Sequence, residues 1–88
     1  MITAVGERRK RMVHELPINS ELCNVVLNGE KTFDVRMNDR EFQKGDRIRY
    51  MAIRTPNKEI EQRLYEVTYV LSGVGIEKDY VVFGIKEI

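Results

Sequence analysis

The feature that most constrains the fold of this chain is a repeat of two. From Thr32 to Met37 the side chains alternate, with Phe33, Val35 and Met37 on one side and Thr32, Asp34 and Arg36 on the other. The pattern recurs from Arg47 to Ile53, where Ile48, Tyr50 and Ala52 oppose Arg47, Arg49 and Met51. Such stretches are strands with one face on a core, and the apolar side of each is expected to be that face. A longer and more β-prone strand runs from about Gln62 to Leu71 and contains Tyr65, Val67, Thr68, Tyr69 and Val70. Ser72-Gly73-Val74-Gly75 breaks it, residues 76–79 cross back, and Tyr80 to Ile85 supplies the closing strand. At the start, Met12 to Leu16 reads as a first strand stopped by Pro17. Lys44-Gly45-Asp46 and Thr55-Pro56-Asn57-Lys58 are turns, the second containing a proline barred from a central ladder.

One segment breaks the alternation. Asn19 or Ser20 caps a helix running to Asn28, with Leu22, Val25 and Val26 as its buried stripe and Glu21 in the first turn, where the helix dipole favours it. With Asn19 as the cap, Ile18 and Cys23 have the spacing of a hydrophobic staple. Gly29 can adopt the left-handed conformation that ends the helix, which leaves Lys31 at the mouth of the next strand. The fold class is therefore α+β, mainly β. A small open antiparallel sheet would expose two edges, so about five strands curled into a β-barrel, with the helix at one barrel end, is the expected solution.

At 88 residues the chain makes one domain, and a hydrophobic fraction of 42% excludes disorder. No apolar run approaches the roughly 20 residues needed to cross a bilayer, and the start lacks the apolar centre of a secretory signal. The cytoplasm is the default location, and no membrane partner is expected. Cys23 is the sole cysteine, which rules out an internal disulfide, and its place in the helix stripe fits a small buried hydrophobe. With one Cys and one His the usual zinc ligand sets cannot be assembled within a monomer, so neither metal nor cofactor is expected. His14, without a recognisable partner, fits a structural role better than that of a general base.

The net charge of +1 conceals an asymmetry. Residues 1–11 carry four cations against Glu7 and no periodicity; they read as a flexible basic arm, with the domain proper over 12–88. From Lys31 to Arg54 seven cations face four carboxylates. Anionic partners are favoured there, with an ordinary mixed-sign surface as the plain alternative. The polar face of the 32–37 strand places Asp34 and Arg36 beside Lys31. Arg36 can fork onto a phosphate or carboxylate, Lys31 supplies a mobile point charge, and Asp34 can accept from base amino groups or hold Arg36 in place. A salt-bridge cluster on a barrel rim is the bland alternative, although such exposed pairs contribute only about 0 to 1 kcal/mol each. Arg40 and Lys44 on the following loop are candidate phosphate contacts, and Tyr50 is the aromatic chosen as a stacking platform for a base. Glu66, inside an apolar strand, must face water or find a partner.

Gly29-Glu30-Lys31-Thr32-Phe33-Asp34-Val35-Arg36 resembles the G-x-K-x-x-E-x-R signature of ASCH domains, members of the PUA-like superfamily of small β-barrels, with Asp34 where Glu is usual. Other blocks are similar to an uncharacterised, often phage-encoded branch of that superfamily. They are His14-Glu15-Leu16, then Asn38-Asp39-Arg40 before Phe42-Gln43-x-Gly45-Asp46, and Val67 to Gly73 before Tyr80-Val81-Val82. The resemblance covers Met12 to Ile85. It implies a module for RNA or a modified nucleoside, with DNA a second candidate, using a cleft lined by the signature strand and the helix before it. The alternative it implies is a small amidohydrolase acting on acetylated cytidine or a related modified nucleoside. Those enzymes use the signature lysine, a threonine two residues before the signature arginine, and a later glutamate. Here these positions map to Lys31, Asp34 and, as the nearest candidate, Glu66. A carboxylate at 34 cannot replace a hydroxyl nucleophile without a change of mechanism. A phage-encoded protein-interaction factor is the further alternative.

Overall fold

The computed structural model describes residues 10–88, and within them the alternating segments become strands of a single sheet. In chain order the elements are β1 (Val13–Asn19), α1 (Ser20–Leu27), β2 (Phe33–Met37), β3 (Arg47–Ile53), α2 (Lys58–Glu61), β4 (Tyr65–Leu71) and β5 (Tyr80–Glu87). The strand order is β1-β3-β4-β5-β2. β1 runs parallel to β3, with Leu16 opposite Tyr50, and every other pairing is antiparallel. The first two strands thus lie at opposite edges, and α1 carries the chain between them.

The expected closed antiparallel barrel is corrected in two respects. One strand pair is parallel, and β1 and β2 form no ladder with each other, so the sheet is a curled half-barrel with a seam. Among the described residues one side-chain bond crosses that seam: Arg36 Nη2 donates to the Pro17 carbonyl at 2.6 Å. Pro17 does not stop the first strand either. β1 is paired on one side only, so a residue without an N–H is tolerated where its main chain faces away from β3.

The core forms where the inner faces meet α1 and α2: Leu16 and Ile18, Cys23 and Val26, Ile48 and Tyr50, Ile60, Tyr65 and Val67, and Val81, Phe83 and Ile85, with Phe42 from the loop before β3. The helix ends as expected. Gly29 takes φ 83°, and Lys31 N–H returns to the Val25 carbonyl at 2.8 Å. Asn19 occupies the N-cap in an extended conformation, yet its side chain makes no capping bond; Ser20 Oγ instead donates to the Ile53 carbonyl at 2.5 Å and fixes the helix start to β3. The turn at 55–58 leads into α2, which the alternation gave no sign of, and β4 begins at Tyr65 instead of Gln62. Asn57 caps this helix by accepting from Ile60 N–H at 3.1 Å, which lets Ile60 enter the core.

The orientation of β2 is the largest correction. Phe33, Val35 and Met37, expected in the core, are 47%, 50% and 52% exposed, whereas Asp34 is buried. Register explains the inversion: Asp34 lies opposite Phe83 and Arg36 opposite Val81, both buried, so the polar face of β2 shares their side of the sheet. The buried carboxylate is satisfied there by hydrogen bonds, and the apolar face has no second layer to cover it. His14 also has a partner. Its Nε2 lies 2.9 Å from Asp46 Oδ2, both groups buried, and its ring packs on Phe42 at 4.7 Å between centroids. The basic arm expected over 1–11 lies outside the described residues up to residue 9; Arg11 lies beside Gly45.

Candidate functional site

A buried carboxylate is costly unless donors surround it. Asp34, 6% exposed, has three. Tyr50 OH donates to Oδ2 at 2.7 Å, Arg36 Nε donates to the same oxygen at 3.1 Å, and Val35 N–H donates to Oδ1 at 2.8 Å. Tyr50 is fully buried on β3; burial first, and then the neighbouring Asp34 charge, push its hydroxyl far above the usual tyrosine range. The hydroxyl therefore stays protonated and remains a donor. Asp34 in turn holds Arg36, which reaches across the seam to Pro17. A guanidinium carries five N–H donors in one plane. Two are used here, and among the described residues no acceptor meets the other three. Arg36 is thus a cation held in plane at a gap in the sheet, with part of its fork unspent.

The seam opens on two hollows. One is a cleft of about 300 Å³, with Pro17, Ile18, Leu22 and Ile53 as apolar walls and Lys31, Asp34 and Arg36 as its charged lining. Lys31 is half-buried at one end, where Nζ donates to the Phe33 carbonyl at 2.9 Å and lies 5.1 Å from the centre of the Phe33 ring. The other is a groove of about 250 Å³ bounded by Leu16, Pro17, Arg36, Met37, Asp39, Arg40 and Phe42. Arg40 is exposed, with Asp39 as a loose partner at 3.9 Å. Among the described residues, no group of three or more His, Cys, Asp or Glu could hold a metal, and no helix is long and apolar enough to cross a membrane.

A family model described as a domain of unknown function, DUF3850, matches residues 13–85, from the first residue of β1 to near the end of β5. The chain belongs to the DUF3850 family. Its fold is similar to that in a crystal structure of hypothetical protein PH0355, with a TM-score of 0.59 and 17% identity over 88% of this chain and 99% of that one. No curated protein matches the chain.

Within this DUF3850 domain the residues singled out from sequence separate into three groups. Lys31, Asp34 and Arg36 converge on the cleft, and Arg40 joins Arg36 at the second groove. Tyr50 lies beneath the site: fully buried, it offers no ring face to a base and acts as the donor that supports Asp34, which corrects the stacking role expected of it. Glu66 and Lys44 lie elsewhere. Tyr65 and Val67 turn inward, so Glu66 between them points to the outer face of the sheet, opposite Arg47 on β3 and Lys86 on β5. It cannot join Lys31 in an active centre. Lys44 is exposed on the turn before β3, apart from the residues that line the cleft and the groove. Pro17 was read only as a strand breaker, yet it lines both hollows and receives the Arg36 bond. Asp46, read as a turn residue, is almost fully buried and organises the loop between β2 and β3, accepting from Met12 N–H at 3.2 Å and Gln43 N–H at 3.0 Å as well as facing His14. A carboxylate three residues after Gln43, with the lone histidine elsewhere in the chain, was the available signal.

Proposed function

We propose that this domain binds RNA, with one nucleotide or modified nucleoside entering the cleft at the seam. The observation that carries this reading is Arg36: held in plane by Asp34 and the Pro17 carbonyl, it retains, among the described residues, three unspent donors beside an apolar-walled cleft of nucleotide size. A phosphate or the edge of a base accepts from that fork, a planar base fits against Pro17, Leu22 and Ile53, and Lys31 adds a second positive charge. The Gly29–Arg36 signature supports placing the chain among PUA-like domains of ASCH type, and a mainly-β sheet curled beside one early helix agrees with it. The amidohydrolase alternative gains no support. Asp34, the carboxylate of the cleft, already accepts from three donors, and Glu66 points away.

Fluorescence anisotropy with a labelled single-stranded RNA tests the proposal. Binding should weaken with salt; Arg36→Ala should lower affinity about tenfold or more, and Lys31→Ala should flatten the logarithmic salt slope by about one unit. Affinity unchanged in both variants, with circular dichroism showing that they are folded, would overturn it.

A further inference from the structure

Two hollows adjoin at Arg36. The cleft and the second groove share Pro17 and Arg36 in their linings, and these two residues are bonded to each other through Arg36 Nη2 and the Pro17 carbonyl. Their volumes, about 300 and about 250 Å³, are close to each other. The second groove repeats the chemistry of the first: an apolar lining of Leu16, Met37 and Phe42, and a guanidinium, Arg40, which the reading above leaves without a task. Resting on that reading, the geometry points to a two-nucleotide track for single-stranded RNA. Successive nucleotides occupy the two compartments, the phosphate joining them sits on the unspent N–H groups of Arg36, and the next phosphate lies on Arg40.

Three features favour this ligand. A duplex keeps its bases stacked inside, whereas separate compartments with apolar walls suit bases displayed one at a time. A guanidinium between compartments matches a polymer whose charge lies between its bases. Asp39, which also borders the second groove, is 3.9 Å from Arg40, so a phosphate can displace it at small cost, and the freed carboxylate can accept from a base amino group.

The test compares three probes by calorimetry: a 5′-phosphorylated ribomononucleotide, the 5′-phosphorylated diribonucleotide, and that dinucleotide with an uncharged methylphosphonate linkage. The intact protein should bind the dinucleotide about tenfold or more tightly than the mononucleotide, and the uncharged linkage should remove most of the gain. Arg40→Ala should shrink the dinucleotide advantage and leave mononucleotide affinity unchanged, whereas Arg36→Ala should weaken both. Equal affinity for mononucleotide and dinucleotide would overturn the track and leave the single-nucleotide cleft standing. So would a uniform loss for both probes in Arg40→Ala, which would show a general electrostatic contribution only. No binding of any probe by the folded protein would remove the track and the RNA reading together.

Discussion

One hydrogen-bonded chain underlies the cleft, from the Tyr50 hydroxyl through the Asp34 carboxylate to the Arg36 guanidinium. Truncating its members should have unequal costs. Tyr50→Phe removes one donor from a buried acceptor and should cost about 1 to 3 kcal/mol in urea melts, whereas Asp34→Ala strands a hydroxyl, an amide and a guanidinium and should cost more. The same chain sets an alkaline limit. Because burial and Asp34 raise the folded hydroxyl above its unfolded value, the unfolded state ionises first, and stability should fall as pH climbs past about 10. Below that pH the contribution is fully present. The alkaline decline should be shallower in Tyr50→Phe; identical slopes in the two proteins would show that the decline has another origin. Tyr65, whose hydroxyl is raised chiefly by burial, contributes to the decline in both. The spacing of Lys31, Asp34 and Arg36 was legible in the sequence. The burial of Tyr50 was implied by its place between Ile48 and Ala52 on a core-facing pattern, which argues against the stacking role expected of it, whereas its bond to Asp34 depends on the strand register and had no signal in the sequence.

For the elements, alternation reveals the period of a strand and leaves its sidedness open. β2 shows this: the same pattern fits an apolar core face or a polar inward face, and the choice rests on the partner strand and on whether the inward charges find donors. On β3, held between β1 and β4, the apolar side did turn inward, and Ile48 and Tyr50 are fully buried as expected. α2 escaped notice because a four-residue helix has no periodicity to detect; its signal was the single cap Asn57. β4 and β5 meet at an irregularity between Val67 and Tyr69, where the extra residue, Thr68, is accommodated by the missing side chain of Gly84. A Cβ at 84 would collide with Thr68 Oγ1. Gly84→Ala should therefore lower stability by about 1 to 3 kcal/mol, and Thr68→Ala in the same chain should restore part of it in thermal melts. Strict additivity of the two changes would place the strain elsewhere.

Across the whole molecule, strand order decides where the gap in the sheet lies. Placing β1 and β2 at opposite edges brings the seam beside α1, and the loop from β2 to β3 must then be anchored from a distance. Asp46 performs that task by bonding Met12 and Gln43 and facing His14, which joins the start of β1 to a loop more than thirty residues later. Asp46→Ala should cost about 3 kcal/mol or more in urea melts, and hydrogen exchange at the Met12 and Gln43 amides should accelerate by more than the global loss explains. Protection that tracks global stability alone would show that the loop does not depend on this carboxylate.

The persistence of the seam has a cause in covalent chemistry. Because residue 17 is a proline, the edge of β1 presents an oxygen to β2 but no hydrogen at that point, and a long side chain spans the interval where a ladder rung would otherwise form. At that position β1 cannot donate a ladder bond to β2. On the proposed reading, an incoming nucleotide meets a gap already present, and its binding does not require paired strands to part.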